Sequence, residues 1–367
     1  MYTDQIKTLH FEPSQLCNAS CTVCNRRVFG GPKNPHIKDV YSSYEQVKEW
    51  FSPDFINNLD RLILCGNYGD PMTNPDLLKI IAYFRKHSPN LYITMHTNAS
   101  GRNKKWWNDL GNLIGKNGEV FFSIDGLSDT NHIYRRGTHW NMILEAIEGY
   151  ISSGANAVWD YLIFRHNEHQ VEEAEKLSKQ LGFTRFIKKS AFGFQSDEPM
   201  IALKHTGEFD YFIYPRGSTV NKEPIEYKVD PEFIFDKDSL AAISEVDSLI
   251  LEKFDNVEIE CMAATGSEIY VNAYGLLFPC CFTAGKYQSD RSFVNAQFRE
   301  FVNRFSEESI DLNKNKLENI IKNKMFTDAY PESWNCSSIE TGKLFVCAEF
   351  CGKYKQNTFH KILDDLR

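Results

Sequence analysis

Three cysteines near the amino terminus, Cys17, Cys21 and Cys24, lie on one short segment with the spacing C-x3-C-x2-C. Thiolates bind iron strongly, and four cysteines normally saturate a 4Fe–4S cluster. Three cysteines on one loop leave one iron open to a substrate, and a cluster that only carries electrons does not need such a position. Zinc is the alternative, because it would need a fourth ligand nearby that His36 could supply.

The C-terminal part of the chain has a second group of cysteines. Six of the ten cysteines lie between residues 261 and 351. Cys261 and Cys280 bracket two β-like arms around Gly275, so we predict a hairpin that brings these two thiols together. Bunched cysteines favour metal or cluster ligation over disulfides in a protein without a secretion signal.

Composition and charge limit the function classes. The chain has 367 residues, 42% of them hydrophobic, and a net charge of −8. The acidic balance argues against a dominant nucleic-acid surface. The sequence has neither a signal peptide nor an apolar stretch that could span a membrane, so we expect a cytoplasmic, reducing setting. Only sixteen residues precede Cys17, from which we expect no leader-peptide-binding domain before it.

The first half of the sequence alternates β-rich segments with amphipathic helical ones. This alternation predicts an α/β fold in which helices cover a parallel sheet, and six such units would form an open, partial (β/α)6 barrel. The predicted strands are Thr8–Pro13, Arg61–Gly66, Leu91–Thr97, Glu119–Asp125, Trp159–Phe164 and Thr184–Ser190. The predicted helices are Ser43–Phe51, Pro75–His87, Lys104–Ile114, Trp140–Ser153 and Glu168–Leu181.

Active sites in such folds gather at the carboxyl ends of the strands. Cys17 follows the first predicted strand, and the segment Gly69-Asp70-Pro71 follows the second. Asn98 follows the third, and Asp125 ends the fourth. The order of these residues along successive strands predicts one site at this edge of the sheet.

The cysteine spacing on this kind of α/β chain resembles the radical S-adenosylmethionine (SAM) superfamily. The resemblance implies that Cys17, Cys21 and Cys24 are the catalytic centre and ligate a 4Fe–4S cluster whose fourth iron binds the amino and carboxylate groups of SAM. Reductive cleavage of SAM then gives methionine and a 5′-deoxyadenosyl radical that takes a hydrogen atom from a substrate carbon. Val23 occupies a position near adenine that is usually aromatic or large.

Further segments resemble those that contact SAM in this family. Tyr68-Gly69-Asp70-Pro71 resembles a Gly-Gly-Glu-Pro-like segment beside the SAM amino group, and Ser123-Ile124-Asp125-Gly126 resembles a Ser-x-Asp-Gly segment. A family arginine that pairs with the SAM carboxylate corresponds to Arg136, a suitable role for a guanidinium fork. The resemblance thus implies SAM contacts by Val23, Gly69, Asp70, Asn98, Ser123, Asp125 and Arg136.

The C-terminal cysteines resemble the SPASM and twitch extensions of this superfamily, which hold auxiliary 4Fe–4S clusters. The resemblance implies one auxiliary cluster on Cys261, Cys280 and Cys351, with Cys347 or Cys336 as the fourth ligand. Two clusters and a structural zinc site remain alternatives, and Cys281 and Cys65 are expected to be small buried residues or spare ligands. We expect a radical SAM core over 1–190, an irregular connection or substrate-facing insertion over 191–240, and a smaller α+β cluster-binding domain over 241–367.

The resemblance implies an oxidoreductase that modifies a peptide or a protein side chain. A dehydrogenase of a small alcohol or aminocyclitol and a non-catalytic metal-binding or electron-transfer protein are the alternatives. The expected partners are a peptide or small-molecule substrate and an electron donor such as flavodoxin or ferredoxin, with neither a membrane nor a nucleic acid.

Overall fold

The computed structural model describes residues 6–191, 193–194, 196–228, 254–288 and 293–353. The sequence also predicts a helix from Asp238 over the segment DSLAAISEVDSLILEKF, which lies outside these residues except for its last one, Phe254. The chain divides into two compact units. The larger unit comprises 11–47 and 60–231, and the smaller one comprises 1–10, 48–59 and 232–367.

Strands and helices alternate from the first strand to residue 190, as the sequence predicts. The strands are β1 (Thr8–Phe11), β2 (Arg61–Leu64), β3 (Tyr92–Thr97), β4 (Gly118–Ser123), β5 (Asn156–Ile163) and β6 (Arg185–Ser190). The helices are α1 (Tyr44–Trp50), α2 (Pro53–Asn57), α3 (Leu77–His87), α4 (Lys104–Ile114), α5 (Asn131–Tyr134), α6 (Trp140–Ser152) and α7 (Val171–Leu181). Short 3-10 turns cover Pro71–Thr73 and Glu168–Gln170.

In the larger unit, β2 to β6 lie side by side in chain order, and each pair is parallel. Helices connect these strands, and among the described residues β6 pairs only with β5, so the sheet is open. These observations confirm the α/β class and the open, mostly parallel sheet.

Large side chains fill the space between this sheet and its helices. Trp107 on α4, Phe122 on β4 and Trp159 on β5 are fully buried. Helices α4 and α6 approach closely at Gly149, where a Cβ would lie 2.4 Å from the carbonyl oxygen of Lys104. Gly182 caps the carboxyl end of helix α7 in the left-handed conformation (φ +92°), which a glycine adopts without a steric penalty.

The described part of the segment 191–240, which ends at residue 228, is more regular than the sequence suggests. Strands β7 (Met200–Leu203) and β8 (Phe209–Ile213) form an antiparallel hairpin with an irregularity next to Leu203. Ala202, Leu203 and Ile213 are buried. Apolar burial on one side of the hairpin gives these strands a core to pack against, which the surrounding glycine, proline and polar residues do not reveal.

The smaller unit contains the predicted C-terminal hairpin. Its elements are α8 (Met262–Thr265), β9 (Glu268–Val271), β10 (Leu277–Phe278), α9 (Cys281–Gln288), α10 (Phe293–Asn303), α11 (Leu317–Ile320), α12 (Tyr330–Asn335) and α13 (Phe345–Cys351), with a 3-10 turn at Glu307–Ile310 and a π-turn at Met325–Ala329. Strands β9 and β10 are antiparallel, which confirms the predicted hairpin.

The turn of this hairpin has little free space. Gly275 adopts φ +88°, and a Cβ there would lie 2.6 Å from the ring of Trp50. The Trp50 indole also donates a hydrogen bond to Asn313 Oδ1 at 3.2 Å. None of the helices in the described ranges has the length and apolar character needed to cross a lipid bilayer.

Candidate functional site

Cys17, Cys21 and Cys24 lie on the loop that follows β1. A tight turn brings the last two together, because the Cys24 amide donates to the Cys21 carbonyl at 3.1 Å. Cys21 is buried, and the other two are half-buried. Apolar and aromatic side chains pack around the loop and keep water away from the thiols: Ala19, Val23, Tyr134, Leu162, Phe164, Phe194, Tyr211 and Ile213.

Burial and crowding keep these thiols protonated near neutral pH. Burial raises the pKa of Cys21 to about 11 and also raises the pKa of Cys24. The pKa of Cys17 is raised by burial and by the nearby charges of Asp70 and the other two thiols. A positively charged group that replaces the protons would relieve both effects. The three residues therefore fit a metal cluster as ligands.

Arg135 is a guanidinium next to this group of thiols, and Arg26 is another that acts on Cys24. Arg135 Nη1 lies 3.9 Å from Cys21 Sγ, and its Nε donates to Asp125 Oδ2 at 2.6 Å. Asp125 is fully buried and accepts a second hydrogen bond, from the Leu162 amide at 2.7 Å. Asp125 thus holds the Arg135 guanidinium beside Cys21. Sequence reasoning did not single out Arg135.

Arg136, which the family resemblance assigns to the SAM carboxylate, has several protein partners. It forms an ion pair with Asp210 at 2.7 Å and donates to the Leu203 carbonyl at 2.5 Å. Its own carbonyl accepts from the Ser20 amide at 2.8 Å. Arg136 therefore connects the cysteine loop to the β7–β8 hairpin.

Asp70 and Asn98 lie beside Cys17. The Asp70 carboxylate accepts hydrogen bonds from the Thr97 hydroxyl at 2.9 Å and from the Asn98 amide at 2.7 Å. Asn98 Nδ2 lies 3.7 Å from Cys17 Sγ and 3.0 Å from Asn18 Oδ1. Asp70 therefore joins the ends of β2 and β3 and orients Asn98 toward the first thiol.

Gly69 lies where the chain passes very close to the cysteine loop. A Cβ on Gly69 would lie 1.7 Å from the carbonyl oxygen of Ser14, so a larger residue would force the two segments apart. The buried Glu12 accepts hydrogen bonds from the amides of Tyr68 at 2.8 Å and Gly69 at 3.1 Å. Sequence reasoning missed Glu12; a carboxylate at the end of a buried strand was the available signal.

Two further predicted contacts lie at the edge of this region. Ser123 is the last residue of β4 and is in register with Asp160 of β5. Val23 lies on the cysteine loop, with Cγ1 3.2 Å from the position of a Cβ on Gly193. Of the sequence-predicted residues, Asn98 contacts a thiol directly. Asp70 and Asp125 act through residues that approach the thiols, Asn98 and Arg135 respectively.

In the smaller unit, four cysteines line one narrow pocket: Cys261, Cys280, Cys347 and Cys351. Cys336 does not line this pocket, and its Sγ approaches the Glu332 carbonyl at 3.5 Å. The two cysteines on α13 face the ends of the hairpin, as the spacing of one helical turn allows. In the described ranges, no group of three or more His, Cys, Asp or Glu side chains is arranged to hold a single metal ion.

These four thiols influence one another. A hydrogen bond with Cys351, together with burial, raises the pKa of Cys261, and the same bond lowers the pKa of Cys351. Burial raises the pKa of Cys280 and raises that of Cys347 to about 12. Like the first group, this group fits a positively charged centre that replaces thiol protons.

His166 is a half-buried histidine just beyond β5. Its ring stacks on Phe164 with centroids 5.1 Å apart, and its Nε2 is buried without a hydrogen-bond partner in the described part of the chain. Burial, together with the nearby His132 and His169, lowers its pKa from 6.5 to about 4. The folded protein therefore holds this imidazole neutral.

We predict that His166 makes the larger unit sensitive to acid. The unfolded chain binds a proton at this histidine below about pH 6.5, whereas the folded chain does so only near pH 4, so stability falls as the pH decreases through this window. The loss attributable to His166 is about 3 kcal/mol. Urea denaturation at pH 7, 5.5 and 4.5 should show a weaker pH dependence in His166→Gln.

His205→Gln is the matched control, because His205 is exposed. This variant should keep the pH dependence of the unaltered protein. An equal pH dependence in His166→Gln and the unaltered protein would contradict the assignment to His166.

Comparisons with known proteins agree with this geometry. Residues 11–178 match the model of the Radical SAM superfamily. The structure of native anSMEcpe with bound AdoMet and Cp18Cys peptide is 12% identical, with a TM-score of 0.50 over 99% of this chain and 96% of that chain. BtrN in complex with AdoMet and 2-DOIA is 12% identical, with a TM-score of 0.45 over 98% of this chain and 97% of that one.

SuiB from Streptococcus suis is 14% identical, with a TM-score of 0.45. The match covers 78% of this chain and 63% of the SuiB chain, so this chain spans less than two thirds of that protein. A comparison with curated protein sequences gave no match. At this identity the anSMEcpe structure shows a shared fold, and the match to the Radical SAM superfamily model covers residues 11–178, less than half of this chain.

Proposed function

We propose that this chain is a radical SAM oxidoreductase that modifies a peptide or protein side chain and uses an auxiliary 4Fe–4S cluster. One observation carries the proposal: one buried and two half-buried thiols, Cys21, Cys17 and Cys24, lie on one loop at the strand ends of a region that matches the model of this superfamily. Three thiols on one loop satisfy three irons and leave a position for SAM.

Cys17, Cys21 and Cys24 are the proposed ligands of the first cluster. When bound, the cluster and SAM supply the reductive cleavage chemistry that generates the hydrogen-abstracting group. The protein contributes position and electrostatics. Arg135 holds a positive charge 3.9 Å from Cys21 Sγ, which offsets part of the negative charge that ligating thiolates bring into this buried loop.

The remaining residues around the loop orient it and exclude water. Asp70 fixes the Asn98 backbone beside Cys17, and Glu12 fixes the segment that contains Gly69. Tyr134 and Phe164 pack against the cysteine loop, with ring centroids 4.5 Å apart. An apolar wall of this kind protects a reactive carbon-centred species from side reactions with solvent groups.

For the auxiliary cluster we propose the four pocket residues Cys261, Cys280, Cys347 and Cys351 as ligands. The pocket that they line supports this choice, and it favours Cys347 over Cys336 as the fourth ligand. Four thiolates saturate a 4Fe–4S cluster. Such a cluster suits electron uptake from the oxidised substrate, and flavodoxin or ferredoxin is the proposed donor to the first cluster.

The cluster assignment is tested by anaerobic reconstitution of the full chain. We expect about eight irons per chain, the content of two 4Fe–4S clusters, and release of 5′-deoxyadenosine when SAM and dithionite are added. Cys17→Ala, Cys21→Ala and Cys24→Ala should each abolish this release. The measurements are iron and sulfide content and chromatography of the SAM products.

Cys65→Ala is the matched control, because Cys65 follows β2 and belongs to neither group of thiols. This variant should keep both the iron content and the release of 5′-deoxyadenosine. Stoichiometric zinc, or iron without SAM cleavage, would refute the proposal and favour a non-catalytic metal-binding protein.

The choice of auxiliary ligands predicts a difference between two cysteines that lie eleven positions apart in the sequence, Cys336 and Cys347. Cys347→Ala should lose about four irons per chain and stop substrate turnover while keeping part of the SAM cleavage. Cys336→Ala should keep the full iron content. Equal iron loss in both variants, or loss only in Cys336→Ala, would contradict the proposed ligand set.

The substrate class is tested by stimulation of SAM cleavage. A peptide is our proposal because the shared fold has been solved with a peptide bound in anSMEcpe. A substrate that gives up a hydrogen atom increases the amount of 5′-deoxyadenosine above that of the uncoupled reaction. We expect this increase with peptides from a digest of cell protein, with a matching mass change in one peptide. An increase with small aminocyclitols alone would contradict the peptide proposal.

A further inference from the structure

The indole of Trp334 faces the four-cysteine pocket. Trp334 lies on α12 and lines the pocket together with the thiols. Its Nε1 is removed from solvent and has no hydrogen-bond partner of ordinary geometry among the described residues. A buried N–H group without an acceptor costs free energy of folding. Native proteins therefore rarely keep one unless a bound water, ion or ligand accepts its hydrogen bond.

The group that Trp334 approaches is Cys347. The indole interacts with the Cys347 thiol across this pocket, at a geometry outside that of an ordinary hydrogen bond. An N–H donor that points at a sulfur stabilises the thiolate more than the thiol. Indole has a donor and no acceptor, so it matches a negatively charged sulfur and gains little from a protonated one.

The other pocket thiols have different local partners. The Thr283 hydroxyl lies 3.6 Å from Cys280 Sγ, and Cys261 and Cys351 are hydrogen-bonded to each other. The aromatic neighbours Phe282 and Phe350 stack at 4.0 Å and provide no N–H or O–H group. The Trp334 indole therefore supplies the side-chain N–H group of this pocket, and Cys347 is the thiol with which it interacts.

We propose that Trp334 is a positioning residue that donates its indole N–H to the Cys347 sulfur of the auxiliary cluster and raises the reduction potential of that cluster. The inference rests on the proposed function, because it requires a cluster on these four cysteines. Reduction adds negative charge to a cluster, and a hydrogen bond to a ligating sulfur stabilises the more negative state. Outer hydrogen bonds of this kind tune metal sites without touching the metal.

The test compares the full-length holoprotein with Trp334→Phe, which keeps an aromatic ring and removes the N–H. Both proteins are reconstituted anaerobically and titrated with a reductant while electron paramagnetic resonance spectra are recorded. The signal of the auxiliary cluster is the one that does not change when SAM is added, and its intensity is followed during the titration. We expect the oxidised-to-reduced ratio at a fixed potential to increase about tenfold in the variant, a shift of about 59 mV to lower potential for a one-electron couple.

Phe350→Leu is the matched control, because it changes packing in the same pocket without removing a donor. Its potential should remain close to that of the unaltered protein. An unchanged potential in Trp334→Phe, or an equal shift in Phe350→Leu, would overturn the role of the indole. Absence of a second cluster from the unaltered holoprotein would overturn both this inference and the proposed function.

A second measurement does not depend on folding of the variant. The unaltered protein is labelled with ¹⁵N at the indole nitrogen of its six tryptophans, and the reduced auxiliary cluster is examined by pulsed electron paramagnetic resonance. Trp334 is the tryptophan among the pocket residues, so a ¹⁵N coupling to the cluster is expected. A spectrum without that coupling would contradict the hydrogen bond even if Trp334→Phe fails to assemble its cluster.

Discussion

Removal of thiols from water is the constraint on which the rest of the candidate site depends. Burial raises the pKa of Cys17, Cys21 and Cys24, and the negative charges of neighbouring groups raise the pKa of Cys17 further. Thiolates are required for ligation, so the loop favours a partner that brings enough positive charge to replace three protons. Arg135 and Arg26 place positive charge near Cys21 and Cys24, but each is paired with a carboxylate, Asp125 and Asp39 respectively. The local electrostatics therefore favour a highly charged centre over a site that stays empty of cations.

Asp125 makes this arrangement possible because it satisfies several groups at once. Its carboxylate binds Arg135 and the Leu162 amide, and its backbone carbonyl accepts from Asn167 Nδ2 at 2.9 Å. Burial of a carboxylate without such partners would cost several kcal/mol of folding free energy, on the order of the desolvation penalty of an ion. Gly126 follows with φ +142°, where a Cβ would lie 2.2 Å from the Thr130 hydroxyl. The Ser-x-Asp-Gly segment thus has a structural explanation in this chain, independent of any contact with SAM.

Much of the fold could be predicted from the sequence, because hydrophobic periodicity reports on burial within one element. Helix Lys104–Ile114 has the predicted bounds, and strand β6 begins one residue later than predicted. The hairpin β7–β8 was missed because its strands are short and are surrounded by turn-forming residues. Arg135 was missed in favour of Arg136 for another reason: adjacent residues after a short helix point in different directions, and only the backbone path decides which guanidinium faces Cys21.

The two groups of thiols also differ in how much their spacing can predict. The first three cysteines lie on one loop, and local chain geometry keeps them together whatever the rest of the fold does. The pocket thiols come from two ends of a hairpin and from helix α13, so tertiary packing must select them from six candidates. Cys347 and Cys351 share one helical face and enter the pocket together, whereas Cys336 follows the end of α12 and points elsewhere. Helix α12, which carries Trp334 into the pocket, ends at Asn335, just before Cys336. The same segment therefore places Cys336 outside the pocket and supplies the N–H donor for Cys347 inside it.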